Sequence, residues 1–224
     1  KTVSLTRAII VLGLNTVKNL ALATSLLAAF KANSVLRGKA ADAFWEHSLR
    51  VGVISKVIAK IIQVPENQQE EYFVAGLLHD LGKLPLMACF PEEYRQADSY
   101  IFKQQVCSCT AEKLFLEIDH CHVNRLIAGK WKLGTAISNA VVYHHISFTE
   151  KLGAEPLLCS VSFADQIAHY FQSGSSQTAA FDSGRGQLLG QFKLLEPKTL
   201  LTMQAEIEEQ IEKARIFLKI SGKG

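Results

Sequence analysis

Apolar residues recur every three or four positions along most of the chain, and strict apolar/polar alternation is nearly absent, which predicts an all-α fold. Leu5, Ala8, Ile9 and Leu12 mark one face of a short helix ended by Gly13, and a second helix is expected over 15–30. A third carries Trp45, His47, Val51, Ile54, Ile58 and Ile61, with Asp42 as its cap and Pro65 as its stop. A fourth runs from Glu66 to Leu81 and ends at Gly82, and Pro91 suits the first turn of the next. Further helices are expected over 110–117, 120–132, 135–144 and 157–172. Gly and Ser crowd 173–190, which reads as a mobile surface loop. The last helix, over 198–218, sets Ile207, Ile211, Ala214 and Leu218 against Glu206, Glu208, Glu209 and Lys213, the pattern of an amphipathic helix docked on a core. With no internal repeat and no linker, a single domain over 1–224 with about ten helices is expected.

Composition narrows the class. Hydrophobic residues make up 48% of 224, enough for a sizeable core without staples. The net charge of +3 comes from 24 basic and 21 acidic residues that are scattered, which gives no reason to expect nucleic acid or an anionic membrane as partner. The stretch 8–30 is apolar, but Gly13, Asn15, Lys18 and Asn19 interrupt it. A lysine near the middle of a spanning helix costs about 2.5–3.5 kcal/mol, so two core helices are expected there and no membrane span. Five cysteines form no disulfide-like framework, and Lys1-Thr-Val-Ser leads into a helical run without a cleavage site; reduced thiols and a cytoplasmic location are the reading.

The histidines carry the candidate chemistry. His79 and Asp80 follow the apolar run Phe73-Val-Ala-Gly-Leu-Leu, where a carboxylate is expensive unless something neutralises it. A divalent metal does so, taking imidazole nitrogen and carboxylate oxygen together. Gly82 turns the chain, and Lys83 offers a point charge suited to a phosphate. His47 faces inward because Val51 and Ile54, four and seven residues on, are apolar, and Asp165 lies within Val161-Ser-Phe-Ala-Asp-Gln-Ile-Ala. His144 and His145 end a helix built on Ile137, Ala140, Val141 and Val142, and His120 begins one that packs through Val123, Ile127 and Trp131. A lone inward histidine is an ordinary hydrogen-bonded core residue; several on separate helices would each need a separate partner unless they share a metal. Cys107, Cys109, His120, Cys121 and His122 form a rival cluster, but they match no common zinc spacing, and helix breaks are expected to keep them apart. The cysteines are then small apolar core residues, and His122 and His169 are structural or exposed.

Ala8-Ile-Ile-Val-Leu-Gly13, Trp45-Glu-His47, Ala75-Gly-Leu-Leu-His-Asp-Leu-Gly-Lys-Leu84, His120 eleven residues before Trp131, and Ala140-Val-Val-Tyr-His-His145 together resemble the HD phosphohydrolase superfamily, most closely its HDOD branch. The resemblance covers about 4–171, and the family's helices upstream of the first motif are not seen, as in a fragment. It implies an HD-like multi-helical bundle around a central metal site, used in bacteria as a signalling module. By analogy with the related HD-GYP branch, it implies two divalent transition-metal ions bridged by Asp80. One would take His47, His79, Asp80 and Asp165; the other Asp80, His120, His144 and His145. A water between them would be the nucleophile, with Lys83 on a phosphate oxygen.

The departures from the family pattern also count. Ile146-Ser-Phe-Thr follows the histidine pair where the sister branch has the Gly-Tyr-Pro run tied to cyclic di-GMP hydrolysis. Asn124 stands at a common Gly position, and Gly134 at a common Pro. Many HDOD proteins lack part of the ligand set, whereas this chain keeps it whole. Three readings stay open: a metal-binding signalling domain whose partners are other signalling proteins or domains; a metal-dependent phosphohydrolase acting on a nucleotide, cyclic dinucleotide or other phosphorylated small molecule; and a metal-free interaction scaffold. Mixed His and carboxylate ligands suit Fe, Mn, Zn and Ni alike.

Overall fold

The computed structural model describes residues 39–145 and 155–173, and helical residues 203–205, 207–209 and 211–212. The helices expected over 5–12 and 15–30 lie outside the described residues, as does the loop expected over 173–190 except for Ser173, which ends a helix. Among the described residues the structure is all helical: α1 (Lys39–Ile61), α2 (Glu66–Leu78), α3 (Lys83–Cys89), α4 (Pro91–Gln104), α5 (Ser108–Leu116), α6 (His120–Trp131), α7 (Thr135–Tyr143) and α8 (Pro156–Ser173). No helix of the described residues is long and apolar enough to cross a membrane.

Asp42 lies inside α1 and is not its cap. Residues 47–49, 51–55 and 57–59 are buried, so α1 is covered almost all round, with α2 on one side and α8 on another. α1 and α2 meet where side chains are absent. A Cβ on Gly76 would lie 2.8 Å from both Gly52 Cα and Val51 O, so only glycine allows that approach.

α2 stops at Leu78, three residues short of the expected end, with His79 as its C-cap. Residues 79–82 form a turn closed by Leu81 N to Leu78 O and Lys83 N to Asp80 O, after which the chain re-enters a helix that periodicity did not predict, α3. Gly82 has φ −61°, which any residue could adopt; its requirement is steric, because a Cβ would stand 2.2 Å from the His120 carbonyl oxygen. Further on, Pro91 occupies the first turn of α4 as expected. Asp119 caps α6 by accepting from His122 N.

Two apolar clusters form the core. One gathers Phe44, Val74, Leu78, Leu84, Ile137 and Val141. The other gathers Val51, Ile54, Ile58, Phe163 and Ile167 with Met203, Ile207 and Ile211. Of the amphipathic pattern expected over 198–218, Ile207 and Ile211 are buried and Glu208 and Glu209 exposed; its other positions lie outside the described residues. Each of these large side chains contributes roughly 1.5–3 kcal/mol by leaving water.

Candidate metal centre

Two local devices aim the central rings. His79 follows the last turn of α2 and its Nδ1 bonds the Gly76 carbonyl at 2.7 Å; His144 follows the last turn of α7 and its Nδ1 bonds the Val141 carbonyl at 3.1 Å. Each uses a helix-end carbonyl three residues back, which fixes the ring and turns Nε2 inward. Ser162 on α8 donates to the His144 carbonyl at 2.6 Å and ties that turn down. His47 reaches in from α1, Asp165 from α8, and His120 from the first position of α6. Asn124 holds the backbone behind them: it accepts from Gly82 N at 2.7 Å and donates to the Val141 carbonyl at 2.8 Å and to the His79 carbonyl.

All seven residues expected to be ligands meet here. Asp80 Oδ1 is 3.2 Å from His120 Nε2 and 3.6 Å from His144 Nε2. Its Oδ2 is 3.4 Å from His79 Nε2 and 3.9 Å from His47 Nε2. His47 Nε2 bonds Asp165 Oδ1 at 3.1 Å, and His79 Nε2 is 3.6 Å from that oxygen. The ligand atoms of Asp80, His120, His144 and His145 lie within 4.8 Å of one another, as do those of His47, His79 and Asp80. Lys83 donates to Asp80 Oδ2 at 2.5 Å, so the lysine expected to hold a phosphate is engaged by the carboxylate.

Burial and charge act together. Burial is the largest influence on His79 and pushes its pKa down, but Asp80 and Asp165 overcome it and hold the ring at about 9. Burial likewise opposes protonation of His120, yet Asp80, Cys109 and Glu112 raise it to about 10. The carboxyl of Asp80 is disfavoured as an anion by burial but held well below the usual range by His79, Lys83 and His120. His144 and His145 stay neutral down to about 4, because of burial and then of charged or neighbouring imidazoles. Without a cation the centre is balanced by protons on its own imidazoles.

That balance leaves defects. His79 Nε2, Asp80 Oδ1 and His145 Nε2 are buried and have no hydrogen-bond partner. Buried polar atoms are rarely left so. Here they converge with imidazole nitrogens and carboxylate oxygens, the donor set of a divalent transition metal, and the residues fit such an ion.

Two residues of the site were not anticipated. Glu112, on α5 and fully buried, accepts from the His120 backbone N at 2.8 Å and pairs with its Nδ1 at 2.6 Å. Eight residues from His120 on a short helix, it carries no sequence signal of that role. His169 is exposed as expected, yet its Nε2 is 3.4 Å from Asp165 Oδ1 and its ring lies 4.6 Å from that of His47. Its signal was the spacing of four residues from Asp165 on one helix. One expectation is corrected. The chain turns back between α5 and α6, so the rival cysteines do converge: Cys109, His120 and Cys121 group together, as do Cys107, Cys109 and His145. His122 stays apart, with Nδ1 2.7 Å from the capping Asp119.

Known proteins share this fold. The chain is 21% identical to a Shewanella amazonensis SB2B protein described as a "putative phosphohydrolase", with TM-score 0.65 over 95% of this chain and 77% of that one. It is 16% identical to a Marinobacter aquaeolei VT8 protein described as a "putative signal transduction protein", with TM-score 0.68 over 95% of this chain and 46% of that one. An uncharacterized protein of Treponema pallidum (strain Nichols) is 19% identical over 168 residues, 75% of this chain, and the chain spans about a third (32%) of that relative's length. At these identities the solved structures show the fold alone. The HDOD domain model matches residues 1–147, about two thirds of the sequence, and the chain belongs to the HDOD family.

Proposed function

We propose that this chain is a cytoplasmic signalling domain that holds divalent transition-metal ions at the Asp80 centre, with His47, His79, Asp80, His120, His144, His145 and Asp165 as ligands and Asp80 as the bridge. The observation that carries the reading is that buried atoms without a hydrogen-bond partner, His79 Nε2, Asp80 Oδ1 and His145 Nε2, belong to two ligand groups that share Asp80. A metal-free scaffold would hold His79 Nε2 and Asp80 Oδ1 only through ion pairs of 3.2–3.6 Å that fall short of good hydrogen bonds. The family match and the described signalling relative support the regulatory role. Elemental analysis of protein purified without chelator or added metal tests it. Stoichiometric Fe, Mn, Zn or Ni is expected, and a metal-free result would overturn the reading.

A second reading, metal-dependent phosphohydrolysis, is favoured by the half of the site around Asp165, where the His169 side chain is 59% exposed. Bound cations would supply charge that acidifies water and neutralises a phosphoryl oxygen. Lys83, released from Asp80, would hold a phosphate oxygen, and His169, whose pKa Asp165 raises, would carry a proton at the exposed rim. A panel of nucleotides, cyclic dinucleotides and phosphomonoesters tests turnover, with His79→Ala and Asp80→Ala as controls. Activity that survives both substitutions would show that this site is not responsible.

A further inference from the structure

The sulfurs beside His120 are not among the ligands of the Asp80 centre. Cys109 Sγ lies 3.7 Å from Cys121 Sγ and 3.9 Å from His120 Nε2; Cys121 Sγ lies 3.6 Å from the same nitrogen. A tetrahedral zinc ion, with Zn–S about 2.3 Å and Zn–N about 2.0–2.1 Å, needs S···S edges of about 3.8 Å and S···N edges of about 3.5 Å. The two sulfurs and the nitrogen are spaced close to those edges; Cys109 Sγ lies 3.9 Å from both ring nitrogens, so the ring has to turn to aim Nε2 at an ion held by the sulfurs. Glu112 takes the other ring nitrogen at 2.6 Å, the carboxylate support that orients histidine ligands. Cys121 is buried, whereas Cys107 is exposed and groups with Cys109 and His145.

We propose that Cys109, Cys121 and His120 form a binding site for a thiophilic divalent cation such as zinc, adjacent to the Asp80 centre and separate from it. Two thiolates and an imidazole suit zinc better than the oxygen-richer Asp80 centre does. His120 Nε2 is also 3.2 Å from Asp80 Oδ1, and one nitrogen lone pair serves one ion. Zinc on the sulfurs therefore withdraws His120 from the Asp80 centre, leaving His144 and His145 beside the bridging carboxylate. The two stations compete through a single ring, and the sulfur station selects for thiophilic metals. The inference does not rest on the proposed signalling or hydrolytic role.

Titration of the reduced, metal-free chain with Co2+ tests it. A thiolate-to-cobalt charge-transfer band in the near ultraviolet is expected, displaced by one equivalent of zinc, retained in Asp80→Ala and lost in the Cys109→Ser/Cys121→Ser double variant. Absence of the band in the wild-type chain overturns the proposal while leaving Asp80-dependent metal content intact. Loss of the band in Asp80→Ala also overturns it, since the sulfurs would then only complete the Asp80 centre. X-ray absorption of the zinc-loaded wild-type chain gives a readout independent of any variant's folding: a sulfur shell near about 2.3 Å is expected, and a shell of nitrogen and oxygen alone overturns the proposal.

Discussion

Asp80 and Asp165 are both buried carboxylates on the same centre, but their surroundings differ. Asp80 sits in the turn between α2 and α3, and its neighbours His79, His120 and His144 have fully buried side chains. Asp165 sits mid-helix on α8, and one of its partners, His169, is largely exposed. The Asp80 half is buried and fixed by backbone bonds; the Asp165 half opens to solvent through His169. Charges in a dry site interact more strongly and are harder to leave unmatched, so the halves should respond very differently to substitution.

The largest effect is expected at Asp80. Asp80→Ala leaves His79, His120 and Lys83 without their common counter-charge, which should lower stability to urea by about 3–5 kcal/mol and remove the metal held at the Asp80 centre. Asp165→Ala should retain metal on Asp80, His120, His144 and His145. His122→Ala, on the exposed surface, should change stability by no more than about 0.5 kcal/mol. Equal metal loss from Asp80→Ala and Asp165→Ala, read by elemental analysis, would break the contrast between the halves.

Glu112→Gln sharpens it. The substitution keeps the volume but weakens the hold on His120 Nδ1, so metal affinity at the Asp80 half should fall about 10–100-fold in calorimetric titration. An unchanged affinity would show that the backbone alone positions His120.

The next effect is one of pH. In metal-free protein, His79 at about 9 and His120 at about 10 are raised above about 6.5, so their contribution to stability is complete below that value and lost as pH rises through 9–10. His144 and His145, at about 4, are lowered; their contribution is complete above about 6.5 and lost as pH falls toward 4. From these four groups Tm should therefore be highest near neutrality and decline on both sides. Asp80→Asn should remove most of the alkaline decline; a profile identical to wild type would detach it from Asp80.

The smallest effect belongs to His169→Ala, which should cost no more than about 1 kcal/mol, as for other exposed ion pairs, and leave metal content unchanged. Metal loss as large as that from Asp165→Ala would mean that the open half is as tightly built as the closed one.

Legibility in the sequence followed the range of the interaction. His47 could be read because Val51 and Ile54 share its face, and the His79-Asp80 pair because an apolar run precedes it. Gly82 was read as a helix break, whereas its constraint is the His120 carbonyl, thirty-eight residues further along the chain. Asn124 was visible only as a departure from its relatives, yet it joins three backbone segments. Glu112 and the cysteine cluster depend on how α5 and α6 fold together. Glu117, with φ 61°, reverses the chain after α5, and no periodicity encodes where it lands.

The Lys83–Asp80 pair has a consequence for the order of events in the cell. A bare carboxylate in this core would have to wait for its cation before the surrounding helices could close. Lys83 Nζ, 2.5 Å from Asp80 Oδ2, supplies a resident positive charge from three residues away, within the same chain segment. Folding can therefore be completed first and loading can follow, unlike small zinc modules that have no folded form without their ion. Metal scarcity would then idle the domain without sending it to the proteases.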